Sequence, residues 1–252
     1  MAETGEIESR TDTPKADKGA GMRRRLIRAT IEALTELGYS GATTIEVVRR
    51  AKVSRGALLH HFPTRSDLLL ATTEYIFEAQ ERFRRHRLKD VDRGRARFLS
   101  ITDAMWDTMQ RPESVALTEL MIGTRGDDEL REPFATLMRQ ANARLYEGPS
   151  EVAEDIGYAD ARLVRSMAKL HVAAMRGLMI ERHYYGGAEA QTDDAFELLA
   201  WYKHAVMRRL ADPAFEDAVR LELERPLRTS LGAGDTAVVP MQQCPENQNN
   251  QS

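Results

Sequence analysis

Residues 43–62 read TTIEVVRRAKVSRGALLHHF, two short helices separated by a tight turn inside a basic segment. Thr43 and Glu46 make a T-x-x-E signature: the threonine hydroxyl accepts from an orphan amide, the glutamate reaches back to the cap residue, and a helix is expected to start there. Ile45, Val48 and Ala51 share one helical face and leave Arg49, Arg50 and Lys52 outside it. Ser54 is a second N-cap, ahead of Arg55, Gly56, Ala57, Leu58 and Leu59. So little chain lies between Ala51 and Ser54 that the two helices must cross steeply. In such a helix-turn-helix the second helix offers its first turn to base edges in the major groove, and the first braces on the backbone.

Charge agrees with this geometry. From Met22 to Arg65 nine cations (Arg23, Arg24, Arg25, Arg28, Arg49, Arg50, Lys52, Arg55 and Arg65) face three anions (Glu32, Glu36 and Glu46), a net of +6. The whole chain carries −3, so the remainder carries −9, and a polyanion is expected to meet the N-terminal part. Upstream, Leu26, Ile27, Ala29, Thr30, Ile31, Ala33, Leu34 and Leu37 recur at helical spacing between Met22 and Leu37, with Gly38 as C-cap; this helix is a brace. Its leading Arg23, Arg24 and Arg25 read equally as a solvated arm or as an arm for an adjacent minor groove. Downstream of Pro63, Leu69, Thr72, Ile76, Ala79 and Phe83 form one stripe of a long helix over Ser66 to Arg87, suited to carrying motion away from the reading head.

The stretch Leu26 to Thr72, LIRATIEALTELGYSGATTIEVVRRAKVSRGALLHHFPTRSDLLLAT, resembles the first four helices of the tetracycline-repressor-like (TetR) transcription regulators, a likeness that extends from Met22 to about Arg82. The resemblance implies an all-α fold: an N-terminal three-helix helix-turn-helix domain joined by a long helix to a helical ligand-binding and dimerisation domain. It further implies DNA contacts at Thr43, Thr44, Ser54, Arg55, Gly56, Leu59, His60 and Arg65, and a His61-Phe62 pair that closes the recognition helix onto the core. Two positions depart from the family pattern. Leu59 stands where a tyrosine usually reaches a phosphate, and is instead suited to a thymine methyl or to packing. Lys52 replaces the usual glycine of the turn; it adds a cation near the phosphates and must either tolerate a left-handed backbone or avoid one.

Length and composition bound the rest. With 252 residues the chain holds two modest domains or one extended helical body. No apolar run approaches the ~18–20 residues that span a bilayer, and the N-terminus, with Glu3, Glu6 and Glu8, is not a secretory signal. Cys244 is the single cysteine, which excludes an internal disulfide and a multi-cysteine metal cluster. A cytoplasmic location, no cofactor, no metal and no membrane partner are expected. The domain plan is an unstructured arm over 1–20, the DNA-binding domain over 20–80, a ligand-binding and dimerisation domain over 81–225 and an unstructured tail over 226–252.

The body reads as helices over Asp92–Gln110, Ser114–Gly123, Asp127–Glu147, Glu151–Ile156, Asp160–Tyr185 and Asp193–Ala211, with a short one over Phe215–Leu223. Residues 160–185 and 193–211 are apolar almost all round, so each must be covered on more than one side. A thick single-chain core does this. So does a two-fold homodimer that pairs these helices with their copies, as the resemblance implies; its two heads would then meet successive major grooves of palindromic operator DNA. Met105, Trp106, Met109, Met121, Phe134, Met138, Met175, Met179 and Tyr184 are candidate walls of an apolar cavity, with His171 as polar anchor, for an unidentified small-molecule effector. No HExxH, phosphate loop, nucleophile elbow or catalytic cysteine points to an enzyme. The expected function is a repressor released from its operator by a ligand. The alternative is a DNA-binding regulator whose body is a protein-interaction platform, and a cavity of some hundreds of cubic ångströms separates the two.

Overall fold

The structure, a computed structural model, describes residues 13–155, 157, 161–185 and 189–210. Among them are nine α-helices, one 3-10 turn and no strand. α1 (Thr13–Gly41), α2 (Thr44–Ala51), α3 (Arg55–His61) and the start of α4 (Arg65–Leu88) make the head. α5 (Arg95–Met109), α6 (Pro112–Gly123), the turn Thr124–Gly126, α7 (Arg131–Asp155), α8 (Ala161–Tyr185) and α9 (Glu189–Leu210) make the body.

The first brace extends further back than its apolar period. α1 is helical from Thr13, so the unstructured arm does not persist to residue 20; residues 1–12 lie outside the described ones. Its inner stripe is Leu26, Ile27, Ala29, Ile31, Ala33 and Leu34, all buried, whereas Leu37 is half exposed. Gly38 interrupts the helix at φ 71°, a backbone region that glycine enters without a Cβ clash, and the chain there turns toward α2.

These side chains share one core with Val47, Leu58, Phe62, Leu68, Leu69 and Ile76 of the head and with Leu120, Leu130 and Phe134 of α6 and α7. The division drawn at residues 80/81 is therefore crossed by packed apolar side chains, because α1 lies against α6 as well as against α2 and α4. A second core of Met105, Trp106, Met109, Val172, Met175 and Met179 ties α5 to α8.

Several body boundaries differ from the sequence pattern: α5 starts at Arg95 and not at Asp92, and α7 at Arg131 and not at Asp127, Asp127 instead accepting from the Leu130 amide at 3.1 Å in the turn before it. α6 starts at Pro112, which sits in the first turn, where its missing N–H costs nothing. α7 runs unbroken through Gly148-Pro149, although a proline removes one donor from the helical ladder, so the two helices expected on either side of this pair are one. α9 begins at Glu189 and not at Asp193, with Thr192 buried within it. Phe215–Leu223, Cys244 and the tail lie outside the described residues, as do the side chains of Leu163 and Tyr184. Among the described residues no helix is long and apolar enough to cross a membrane, and no group of His, Cys, Asp and Glu is placed to hold a metal ion.

Candidate nucleic-acid interface and body cavity

The hydroxyl of Thr43 caps α2 by accepting from the Glu46 amide at 3.2 Å. Glu46 does not reach back to the cap. Its carboxylate accepts from Arg49 Nε at 2.8 Å and Arg50 Nε at 2.6 Å, and those two guanidiniums, Arg49 first, hold its pKa down to about 2. Arg50 also pairs with Glu36 of α1 at 2.7 Å. Two of the nine cations are thus matched inside the head. A reciprocal capping box does occur at the start of α4, between Thr64 and Asp67.

The buried face of α2 is Val47 and Ala51, spaced i, i+4, with Val48 half-buried; Ile45 is 76% exposed. A face read from eight residues is ambiguous by one position, and the press of α1 on α2 decides it. Lys52 closes α2 in the left-handed region, φ 50° and ψ 51°, with its N–H on the Arg49 carbonyl at 3.3 Å. It is the one non-glycine residue with positive φ among the described residues.

Ser54 caps α3 by accepting from the Ala57 amide at 3.1 Å. Leu58 and Phe62 are buried beneath it, and Arg23 lies over the Phe62 ring at 4.5 Å, a cation–π contact that gives this arginine a packed position at the end of α3. Facing away from this core, Thr43, Lys52, Ser54, Arg55, Gly56, Leu59 and His60 are all exposed, and Thr44 is partly so. The nine sequence candidates therefore divide. Eight lie on or beside α2 and α3.

Arg65 has another setting. It stacks on Tyr39 at 4.5 Å and donates to the Tyr39 hydroxyl at 3.1 Å and to its carbonyl at 2.9 Å. The Tyr39 hydroxyl in turn donates to Asp127 at 2.8 Å, and the Tyr39 amide donates to Glu119 at 3.3 Å. Burial, then the bond to Asp127, raises the Tyr39 pKa, and the same bond lowers that of Asp127. Gly123 lets α6 lie this close, since a Cβ there would come within 2.0 Å of the Tyr39 ring. Arg65 is therefore part of a joint between head and body, a role its place in the motif did not reveal.

The body candidates also divide. Met105, Met109 and Met138 line a cleft of about 650 Å³ bounded by α4, α5, α6, α7 and α8. Met105, His171 and Met175 line a narrow inner cavity of about 40 Å³, together with Phe98, Thr102 and Lys203. Trp106 instead stacks on Phe196 at 4.7 Å, Met179 fills the α5–α8 core, and Met121 and Phe134 belong to the core shared with the head. Lys203 was missed by the sequence reading. Its signal was present in the spacing Phe196, Leu199, Lys203, which sets the lysine on the inward stripe of α9. The opposite faces of α8 and α9 leave large apolar side chains in the open: Leu170, Ile180, Leu198, Trp201 and Tyr202.

Residues 26–72 match the family model described as bacterial regulatory proteins, tetR family. An uncharacterized HTH-type transcriptional regulator of Mycobacterium tuberculosis is 28% identical over 123 residues, 49% of this chain and 63% of that protein. The HTH-type transcriptional regulator BetI of Escherichia coli is 29% identical over 163 residues, 60% of this chain and 82% of BetI. In fold, the chain is similar to a TetR-family regulator from Rhodococcus, with a TM-score of 0.59 at 22% identity over 74% of this chain and 99% of that one.

Proposed function

This chain belongs to the tetR family of bacterial regulatory proteins, and from that premise we propose that it is a homodimeric repressor that binds a palindromic operator and releases it when a small molecule enters the body. The observation that carries the reading is the exposed row Thr43, Lys52, Ser54, Arg55, Gly56, Leu59 and His60 on a two-helix unit whose other side is packed. Arg55 leads α3 and forms no ion pair among the described residues, so its charge is available to DNA. The caps at Thr43 and Ser54 orient two helix N-termini, whose partial positive charge suits phosphates.

The exposed large apolar side chains of α8 and α9 support self-association, since covering them removes apolar surface from water, and a two-fold arrangement lets each helix pair meet its own copy. The cleft of about 650 Å³ favours a sensor over an interaction platform, because a platform needs no interior space. Its walls also supply a route to DNA. Gln80 of α4 and Ser114 and Leu117 of α6 line the cleft; α4 begins at Arg65, and α6 carries Glu119 and Gly123 against Tyr39. A ligand that spreads these helices binds the off-DNA state better, which is the only way it can lower operator affinity.

The test is footprinting on genomic fragments with the full chain, followed by a salt titration of the protected site. Arg55→Ala is expected to weaken binding by about 1–3 kcal/mol and to relax preference at one base position. Unchanged affinity and salt slope in that variant refute the head assignment, and a monomer at micromolar concentration in sedimentation refutes the two-fold model.

A further inference from the structure

The narrow cavity of about 40 Å³ is built unlike the cleft beside it. Its walls are apolar, among them Phe98, Val164 and Met167, yet two buried nitrogen groups line it. Lys203 is 5% exposed. Its ammonium donates to the Phe98 carbonyl and, at 2.7 Å, to Thr102 Oγ1, and lies 4.4 Å from the Phe98 ring centroid. No carboxylate stands within ion-pair distance of it among the described residues; Asp103 acts on it only through its field. Burying a cation with neutral partners alone is unfavourable and makes the site receptive to an anion.

His171 is also 5% exposed. Its Nδ1 lies 2.9 Å from the Met167 carbonyl, which can only accept, so the proton of the neutral ring sits on Nδ1 and Nε2 is an acceptor. Nε2 is buried and makes no hydrogen bond of normal geometry, while the Leu199 carbonyl, an acceptor like that of Met167, also acts on the ring and favours its protonated form against burial and the charge of Lys203. The backbone around the ring thus offers acceptors and no donor, so a group that brings a proton to Nε2 is what the site lacks. One cavity therefore presents a cation that lacks an anion and a base that lacks a proton.

We propose that this cavity receives the headgroup of a small apolar carboxylic acid, and that such acids are the effector class of the regulator. The acid O–H breaks, its proton forms an N–H bond at His171 Nε2, and the resulting carboxylate lies between the imidazolium and the Lys203 ammonium. A phenol or alcohol satisfies His171 but gives Lys203 no formal charge, whereas inorganic phosphate or chloride must shed far more water against walls that return no hydrogen bonds. The inner cavity has room for a headgroup only. Met105, Leu145 and Val172 line both it and the large cleft, so the apolar remainder of the acid extends past them, and the unbranched Met105 is the side chain best able to make way.

This inference rests on the sensor reading above, and one set of measurements separates the two. Octanoate and benzoate are titrated into the full chain by calorimetry, alongside octanamide, benzamide, octyltrimethylammonium and sodium phosphate, and each is then added to the protein on its footprinted operator. The acids are expected to bind at least about tenfold more tightly than their amides, and Lys203→Met is expected to abolish that preference. Thermal melts of the variant confirm that it is folded. The comparison of acid with amide on the unaltered protein needs no variant at all. Equal binding of acid and amide, no binding of either acid, phosphate binding as tightly as the acids, or an acid preference that survives Lys203→Met each overturns the carboxylate site. Release of DNA by an amide or by the ammonium but not by the acids leaves the sensor standing and removes the acid as effector. Acids that bind through Lys203 without releasing DNA leave the site standing and refute the sensor.

Discussion

Replacement of Lys52 by glycine should stabilise the protein, and the size of the effect follows from one pair of backbone angles. At φ 50° and ψ 51° the Cβ of Lys52 crowds its own backbone, a strain of about 1–2 kcal/mol for an L-residue that glycine does not carry. Glycine also gives the unfolded chain more freedom, which offsets about 0.4–1 kcal/mol of the gain. The net expectation is roughly 0.5–1 kcal/mol, which in a chain of this length raises the melting temperature by about 1–4 °C. Lys52→Ala is the control, because it removes the same charge but keeps the Cβ, so its melting temperature should not rise. On DNA the two variants should behave alike: each loses the cation that the proposed interface sets beside the phosphates, and the slope of log affinity against log salt falls by about 0.9 in both. Differential scanning calorimetry and salt-titrated gel shifts read the two effects separately. Equal shifts in melting temperature for glycine and alanine, or a fall with glycine, would refute the strain argument.

Three further outcomes follow from other parts of the molecule. Burial lowers the Lys203 pKa from 10.5 to about 7, so between those values the unfolded chain binds more protons than the folded one and stability must rise with pH; below about 7 the whole cost of the buried charge is present. The full span amounts to about 4–5 kcal/mol, and Lys203→Met should be the more stable protein near pH 7, with the advantage shrinking toward pH 10 in urea titrations; a pH-independent difference sinks this account. Tyr39→Phe removes the bond to Asp127 and the one from Arg65, and should lower stability by about 1–2 kcal/mol in the same urea assay; an unchanged midpoint shows that the joint contributes nothing. Leu59, 46% exposed on α3, should on replacement by tyrosine tighten binding to every DNA sequence if a phosphate contact is what the head lacks; a change confined to one base position points to direct readout instead.

What the sequence disclosed about this fold was local. The caps at Thr43 and Ser54 and the interruption at Gly38 each depend on a few neighbouring residues, and each is where the pattern places it. Errors arose where a distant segment decided the outcome. Ile45 and Val47 compete for the inside of α2, and only the position of α1 settles it. Glu46 fits a capping box, but two arginines within a single turn outbid the backbone for its carboxylate. Arg65 reads as one more cation of a basic head until Tyr39 and Asp127, far apart in sequence, close around it. The cavity was the least legible part. Methionines spaced along helices do not say which of them face a void: Met105, Met175 and Met179 share one core with Trp106, yet only Met105 and Met175 of these also line the inner cavity. Lys203 was hidden by an ordinary prejudice that lysines face water.

On the proposed mechanism the same distant contacts determine how a signal in the body reaches DNA. The head is not tethered by α4 alone: Tyr39 bonds to Glu119 and Asp127 on either side of the α6 terminus, and Gly123 holds α6 at a separation that admits no side chain. A ligand that displaces α6 must therefore strain or break these bonds, each worth about 0.5–3 kcal/mol depending on charge. A typical coupling between effector and operator sites is about 1–3 kcal/mol, which the loss of one or two such bonds supplies. On the proposed mechanism the joint sets both limits of the response. A weaker joint would let the head move without ligand, and a stronger one would resist any ligand whose binding energy is mostly spent on opening the wall at Met105. Arg65 lies at its centre, stacked on the tyrosine that α6 must release, so the residue that motif reasoning assigns to DNA is placed to register the state of the body.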